Sequence, residues 1–271
     1  FIARAVAQSL IQSEIQTRSD WNIDTGDVAD REAAQQVTVY TAPVEASIDV
    51  IQIVPDEYEE EGFTYYDEDV QDRLAYTLLD LTRKESYTLE SPLAVLNPFG
   101  TGSNGLYMYF RTDAPTRVTY TVHVEDESIP DYTATVNNQG ADADGYSRLQ
   151  EFLLIGLVPG MENTVTLSAE TRQQGTAYTF TIDMPESASG YASQLEVEDG
   201  GADVGQLSDG LFYAMGFGDY YGYTFFFDNE GVLRYEMVLE GYHSDRFLWD
   251  DDGSLITCVG SRKVARINRF G

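Results

Sequence analysis

Two stretches near the carboxyl end share one pattern: YTFFFDNEGVLRYEMVLE at residues 223–240 and DRFLWDDDGSLITCV at residues 245–259. In each, an apolar run ends in acidic residues and a glycine, and a second apolar run follows. Asp and Asn side chains bond to their own turn backbone and Gly accepts a positive φ, so each acidic turn is expected to join two strands as a hairpin. Two successive hairpins predict a four-stranded antiparallel unit, the size of one blade of a β-propeller. We therefore expect residues 211–271 to be the start of an incomplete propeller in a mainly β protein.

Residues 87–185 contain short strand-like runs that are separated by turn residues. The clearest run, Arg117–Val124, alternates apolar and polar side chains, so that its valines share one face. The sequence Asp113–Pro115 predicts a turn between this strand and a buried strand at Leu106–Phe110. Strands that recur about every 8–12 residues indicate a β-sandwich of the immunoglobulin type.

The remaining segments flank these two regions. Residues 1–86 are predicted to form an amino-terminal helix and an acidic, partly irregular segment, and residues 186–210, rich in Ser, Gly and Asp, are predicted to be a linker. Helical spacing of apolar residues marks Phe1–Arg18, and Val70–Leu81 fits either a helix or a strand, with the helix favoured. Two strand-like runs lie between these segments, at Val37–Tyr40 and Ser47–Val54.

The chain has 271 residues and a formal net charge of −30, from 16 basic and 46 acidic residues. Nucleic-acid binding requires concentrated Lys and Arg, and anionic membranes attract basic segments, so the charge argues against both partners. The chain opens on Phe1 rather than Met, and its last blade cannot close a ring. We therefore expect it to be a fragment of a longer protein, whose isolated blade would expose an unpaired strand edge.

Two side chains are candidates for a chemical role. Cys258 is the single cysteine and lies in an apolar run, so a buried and unreactive thiol is predicted. His123 lies on the face of its strand opposite the valines, where an exposed structural histidine without a partner is expected. The acidic run Pro55–Asp72 is interpreted as a solvated loop and no metal ligand is predicted; a calcium site there is the weaker alternative, because no EF-hand spacing is present.

Four motifs, in order along the chain, resemble the amino-terminal region of bacterial arylsulfate sulfotransferases that do not use the nucleotide sulfate donor. A strand ends in Asn-Pro-Phe-Gly at Leu96–Gly100, and a Phe-x-Thr-x-x-Pro motif leads into an alternating strand at Phe110–Val118. A Gly-Leu-x-Pro-Gly turn precedes Asn-Thr-Val at Ile155–Val165, and a strand runs into Asp-Asn-x-Gly at Phe227–Arg234. The similarity covers about residues 87–271 and leaves residues 1–86 unexplained.

This resemblance implies a parent enzyme that transfers a sulfuryl group from a phenolic sulfate ester to a phenolic acceptor. In the family, a histidine at the centre of the propeller carries the group as a sulfo-histidine intermediate, and neither a metal nor a nucleotide cofactor is required. The implied partners are small-molecule phenols and aryl sulfates. The implied location is extracytoplasmic, periplasmic or at the surface of a bacterium. The resemblance is also compatible with a homodimer and with an amino-terminal membrane anchor upstream of Phe1.

The nucleophilic histidine of the family belongs to later blades, so we expect it beyond Gly271 and expect the chain alone to be inactive. His243 and Arg246 stand between the two hairpins and are candidates for lining the substrate channel. The alternative is a non-enzymatic extracytoplasmic binding or surface protein built from the same sandwich and propeller modules. In that case an aromatic cluster could form a sugar or phenol platform, although an aromatic core is the commoner explanation. The cluster comprises Phe217, Tyr220, Tyr221 and Tyr223.

Overall fold

The computed structural model describes residues 36–196, 210–216, 222–240, 247–250, 254–259 and 263–271. The chain is mainly β, as the sequence predicts, and its strands form one large sheet and two small ones. The predicted helix at Phe1–Arg18 lies outside the described residues.

The large sheet has eight strands, and one helix follows its second strand. In chain order these elements are β1 (Val37–Thr41), β2 (Val50–Pro55), α1 (Glu68–Leu81), β3 (Leu93–Leu96), β4 (Leu106–His123), β5 (Tyr132–Thr135), β6 (Ser147–Leu154), β7 (Glu162–Glu170) and β8 (Gly175–Asp183). All pairings are antiparallel except that of β2 with β3. Because β2 pairs with β3, the sheet is continuous across the domain boundary expected near residue 87, and that boundary stays a prediction.

Strand β4 bends the large sheet into the two layers of a sandwich. Its first half pairs with β3 and β6, and its second half pairs with β5 and β7. The turn predicted at Asp113–Pro115 is wrong, because β4 continues through these residues and only its pairing with β6 shifts register, between Arg111 and Thr116. Pro115 removes one backbone donor, which a strand tolerates where its pairing is irregular.

The core between the two layers is a single apolar cluster. Alternate residues at the beginning of β4 point into it, as do alternate residues near its end, and Leu106, Met108, Phe110 and Val118 are fully buried there. The residues between the first three, Tyr107 and Tyr109, point to the opposite face and are also buried. The beginning of β4 is therefore buried on both faces, because α1 covers the outside of the first layer.

Helix α1 has the apolar spacing that its sequence predicts. Val70, Leu74, Leu78 and Leu81 recur at intervals of three or four residues and form a buried stripe. The favoured helical interpretation of this segment is confirmed, with the helix beginning two residues earlier than expected. Within the described residues, no helix combines the length and apolar character needed to cross a bilayer.

The two small sheets follow the sandwich, and each has three antiparallel strands. The first contains β9 (Phe212–Met215), β10 (Tyr223–Phe227) and β11 (Leu233–Val238), and the second contains β12 (Phe247–Trp249), β13 (Leu255–Cys258) and β14 (Val264–Ile267). Both predicted hairpins are present, as β10–β11 and β12–β13.

The prediction that the two hairpins form one four-stranded unit is wrong. The outer edge of β11 is already occupied by chain from the sandwich side: Leu195 donates to Gly231, Leu233 donates to Ser193, and Val238 donates to Thr101, at 2.8, 2.8 and 2.9 Å. Strand β12 cannot pair there and instead starts a second sheet. These contacts cover the β11 edge of the first small sheet.

The two small sheets stack face to face, as neighbouring propeller blades do. Phe226 of the first sheet lies against Phe247 of the second, with ring centroids 6.3 Å apart. Met237, Leu255 and Ile267 complete this cluster. The observed fold is thus a β-sandwich followed by a partial propeller.

Candidate functional site

The junction between the sandwich and the first small sheet is centred on β11. Its sequence, Leu-Arg-Tyr-Glu-Met-Val, alternates apolar and charged residues, which predicts one buried and one solvated face. Instead, the charged side chains Arg234 and Glu236 are 1% and 0% exposed. Charged groups are almost never buried so completely unless they are paired, so their partners decide what this junction does.

Arg234 is held by groups from both sides of the junction. Its Nε donates to Asp228 Oδ2 at 2.5 Å, and its Nη2 donates to the carbonyl of Pro130 at 2.7 Å. The guanidinium lies 5.3 Å from the centre of the Tyr132 ring. One cation therefore joins the acidic turn of the first small sheet to the sandwich.

The backbone beside Arg234 makes a further contact with the sandwich. The Gly156 amide donates to the Arg234 carbonyl at 2.7 Å, and Gly156 has a φ of +99°. A Cβ at Gly156 would lie 2.2 Å from the Tyr132 ring. Glycine is required here on both counts, since only glycine adopts this φ readily and allows so close an approach.

Glu236 lies in a cradle of hydroxyl groups. Its Oε1 accepts from Ser103 Oγ at 2.7 Å, and its Oε2 accepts from Ser189 Oγ at 2.5 Å. The Glu236 amide donates to Asn104 Oδ1 at 2.9 Å, and the Asn104 amide group donates to the carbonyl of Leu157 at 2.8 Å. The carboxylate thus joins the loop after β3, the segment after β8 and β11.

Three of the four motifs that carry the family resemblance meet at this junction. The Asn97–Gly100 turn leads into the loop that contacts β11, and Asn97 holds this loop by accepting from the Gly105 amide at 3.0 Å. The turn at Ile155–Gly160 contacts Arg234, and Ser193 donates to the Pro159 carbonyl at 2.9 Å. The Asp228–Gly231 turn supplies the carboxylate that pairs with Arg234. Their common role in this structure is to join the two regions.

Neighbouring groups on both sides of the junction engage its two charged side chains. Arg234 and Glu236 are almost fully buried and hydrogen-bonded to the sandwich side. In the part of the chain that the structure describes, no three His, Cys, Asp or Glu residues converge as metal ligands would. The junction is therefore suited to holding two regions in a fixed arrangement.

Of the residues that the sequence singled out as histidines or channel candidates, the structure describes only His123. His243 and Arg246 both lie outside the described residues. His123 is at the end of β4 and half exposed, and its Nδ1 is 2.7 Å from Asp131 Oδ1. The expectation that His123 has no partner is wrong, because β5 follows β4 closely and brings Asp131 beside it.

Asp131 also changes the protonation of His123. Its hydrogen bond raises the pKa of the imidazole above the ordinary value, and Glu125, 3.8 Å from Nε2, acts in the same direction. His123 is therefore a surface residue that lies beside Asp131 and Glu125.

Two further predictions concern the small sheets. Cys258 is exposed, so the prediction of a buried thiol is wrong. Alternation along β13 places Leu255 and Thr257 inward, which turns Cys258 outward. Of the proposed aromatic cluster only Tyr223 is described; its ring lies 6.4 Å from Phe225, within a packed aromatic group, and Phe217, Tyr220 and Tyr221 lie outside the described residues.

Sequence reasoning missed Arg234 and Glu236. The alternating pattern of β11 indicates which side chains share a face, but it does not say that the charged face is covered. A local feature of the sequence could have indicated the ion pair. Asp228 and Arg234 flank one tight turn, and this spacing allows a carboxylate and a guanidinium to meet.

Residues 93–185 match the model of the arylsulfotransferase Ig-like domain. The match spans the sandwich from β3 to the end of β8 and confirms the resemblance that the motifs indicate. A search of curated proteins finds no match to the chain.

Proposed function

Because residues 93–185 form an arylsulfotransferase Ig-like domain, we propose that the protein to which this chain belongs is an arylsulfate sulfotransferase. It would move a sulfuryl group from a phenolic sulfate ester to a phenolic acceptor. The single observation that carries this proposal is the family match, and the partial propeller that follows the domain supports it.

The proposed reaction has two displacements. A neutral histidine nitrogen attacks the sulfur of the donor ester, the bond from sulfur to the aryl oxygen breaks, and a phenolate leaves. The oxygen of the acceptor phenol then attacks the sulfur of the sulfo-histidine, and the imidazole is released. The acceptor's proton balances the phenolate that left in the first step. Such covalent catalysis splits one difficult transfer into two easier ones and predicts ping-pong kinetics.

We place the nucleophile beyond Gly271, in later blades of the propeller. His123 is unsuited to the role because it is paired with Asp131 on the surface of the sandwich. His243 and Arg246 remain candidates for the channel, His243 as a hydrogen-bonding group and Arg246 as a cation for the sulfate oxygens.

The role that we assign to this chain is to hold the first part of the propeller in place. Catalytic groups must be fixed within fractions of an ångström, and a propeller whose first sheet moved would lose that precision. Arg234 and Glu236 hold β11 on the sandwich through buried hydrogen bonds. The proposed substrates are small-molecule phenols and aryl sulfates. The proposed setting is the periplasm or surface of a bacterium.

The test is sulfuryl transfer from p-nitrophenyl sulfate to phenol without added nucleotide. It is measured by release of p-nitrophenol with and without the acceptor, for the longer parent protein and for residues 1–271. We expect transfer by the parent with ping-pong kinetics and none by residues 1–271. A parent that transfers nothing to any phenol would overturn the proposal and favour the binding protein. Transfer by residues 1–271 alone would move the chemistry to His243, which His243→Gln would then abolish.

A further inference from the structure

The segment Thr64–Leu81 lies before the matched domain, and the family match assigns no role to it. Its helical part, α1, packs on the first layer of the sandwich. Leu74 and Leu78 are fully buried there, in one cluster with Val95 and Tyr107. At about 25 cal/mol per Å² of apolar surface, burial of such a stripe attaches the helix firmly to the sandwich. The residues just before the helix contact a different part of the molecule.

Tyr66 reaches the first small sheet. Its hydroxyl donates to the carbonyl of Val238, the last residue of β11, at 2.7 Å. Its ring belongs to the edge of the cluster between the two small sheets. Burial raises the pKa of Tyr66 well above that of a free tyrosine, so the hydroxyl keeps the proton that it donates.

Glu240, two residues beyond β11, makes the reciprocal contact. It accepts from the Tyr65 amide at 2.7 Å through Oε1 and from the Thr64 hydroxyl through Oε2. Glu240 has a φ of +51°, in the left-handed region that a glutamate rarely adopts. The surrounding contacts must stabilise this conformation, and the two bonds to Thr64 and Tyr65 do so.

The second small sheet is fixed to the same segment. Lys263, just before β14, pairs with Asp67, the residue that precedes α1. Just after β14, Phe270 is 1% exposed and enters the cluster beneath α1, where its ring centroid lies 5.5 Å from that of Tyr107. Both ends of β14 are therefore held close to the beginning of the helix.

From these contacts we propose that Thr64–Leu81 is an intramolecular clamp, whose binding partner is the end of β11 and both ends of β14. The helix attaches it to the sandwich, and Thr64–Asp67 fastens the two small sheets. Tyr66 and Glu240 are the residues on which the clamp depends. Arg234 and Glu236 hold the edge and the start of β11 on the sandwich. The clamp instead holds the end of β11 and the position of the second small sheet.

The test is hydrogen exchange of residues 1–271 measured by mass spectrometry. The clamp variant is Tyr66→Phe/Glu240→Gln, which keeps the ring and the shape of the carboxyl group. The chain offers a matched control, Tyr58→Phe/Glu59→Gln, because the Tyr58 hydroxyl donates to Glu59 at 2.7 Å on the exposed part of the same acidic segment. The two double variants remove the same chemical groups, one pair between the clamp and the end of β11 and the other within the acidic segment.

We expect the clamp variant to speed exchange of the β10 and β11 amides by about tenfold or more, because it removes the contacts that hold the end of β11. Exchange in β7 and β8 should stay at the wild-type rate, and the control variant should match wild type throughout. Unchanged exchange in β10 and β11 would overturn the proposal. So would equal acceleration in β7, β8, β10 and β11, because the variant would then weaken the whole chain rather than release the first small sheet.

Discussion

The sandwich and the two small sheets are built mainly from antiparallel strands, yet they are stabilised in different ways. The sandwich has strands of up to 18 residues and one apolar cluster between its layers. The strands of the small sheets have three to six residues, and the first of these sheets is held against the sandwich by a buried arginine and a buried glutamate. Short strands bury little apolar surface, so these sheets depend on contacts outside themselves. The difference shows that the sandwich is the support on which the small sheets assemble.

The largest effect is expected from a core substitution in the sandwich. Phe110→Ala removes a fully buried ring that packs against Phe152, with ring centroids 6.4 Å apart. We expect the free energy of unfolding to fall by about 3–5 kcal/mol. If the sandwich supports the small sheets, far-UV circular dichroism and Trp249 fluorescence should both report earlier unfolding in urea, the latter measured with Trp21→Phe.

A matched control for that substitution is Val39→Ala, at a side chain that is 39% exposed on β1. It should change stability by no more than about 0.5 kcal/mol. If the small sheets kept their native Trp249 signal after the sandwich had unfolded, they would not depend on the sandwich for their stability.

An intermediate effect is expected at the junction. Arg234→Met keeps most of the apolar stem but leaves Asp228 and the Pro130 carbonyl without their partner. Removing one member of a buried ion pair costs about 3–5 kcal/mol, and here the loss should fall on the first small sheet. Hydrogen exchange should accelerate in β10 and β11 and remain slow in β7 and β8.

The chain contains an exposed arginine for comparison. Arg172 lies 3.0 Å from both Asp142 and Asp144 on the surface of the sandwich. Arg172→Met should cost much less stability than Arg234→Met, because water screens exposed ion pairs. If the two variants lost equal amounts of stability, burial of Arg234 would add nothing to the stability of the junction.

The smallest expected effect is a pH dependence of the stability of the sandwich. Asp131 raises the pKa of His123 in the folded state above the unfolded value of about 6.5. The stabilisation is therefore fully present below that unfolded pKa and is lost as the pH rises through the folded pKa of His123. Because the pair is exposed, we expect only a small decrease in melting temperature above neutral pH. Asp131→Asn should remove this decrease, and a wild-type melting temperature that rises over the same interval would contradict the assignment.

The sequence by itself determined the strand content, the amphipathic helix α1 and both acidic hairpins. These features follow from local rules: apolar spacing sets the exposed and buried faces, and Asp, Asn and Gly set the turns. The motifs at Asn97–Gly100 and Ile155–Val165 likewise lie within residues 93–185, which match the model of the arylsulfotransferase Ig-like domain.

Only the tertiary structure decided which strands pair and which charged groups are buried. The two hairpins fall in separate sheets because residues 193–195 and the loop at Thr101 already occupy the edge of β11. Arg234 and Glu236 are buried because Tyr132, Ser103 and Ser189 reach them from positions far away in the sequence. An alternating pattern identifies the two faces of a strand, but what covers each face depends on contacts between distant segments, and these form only when the chain folds.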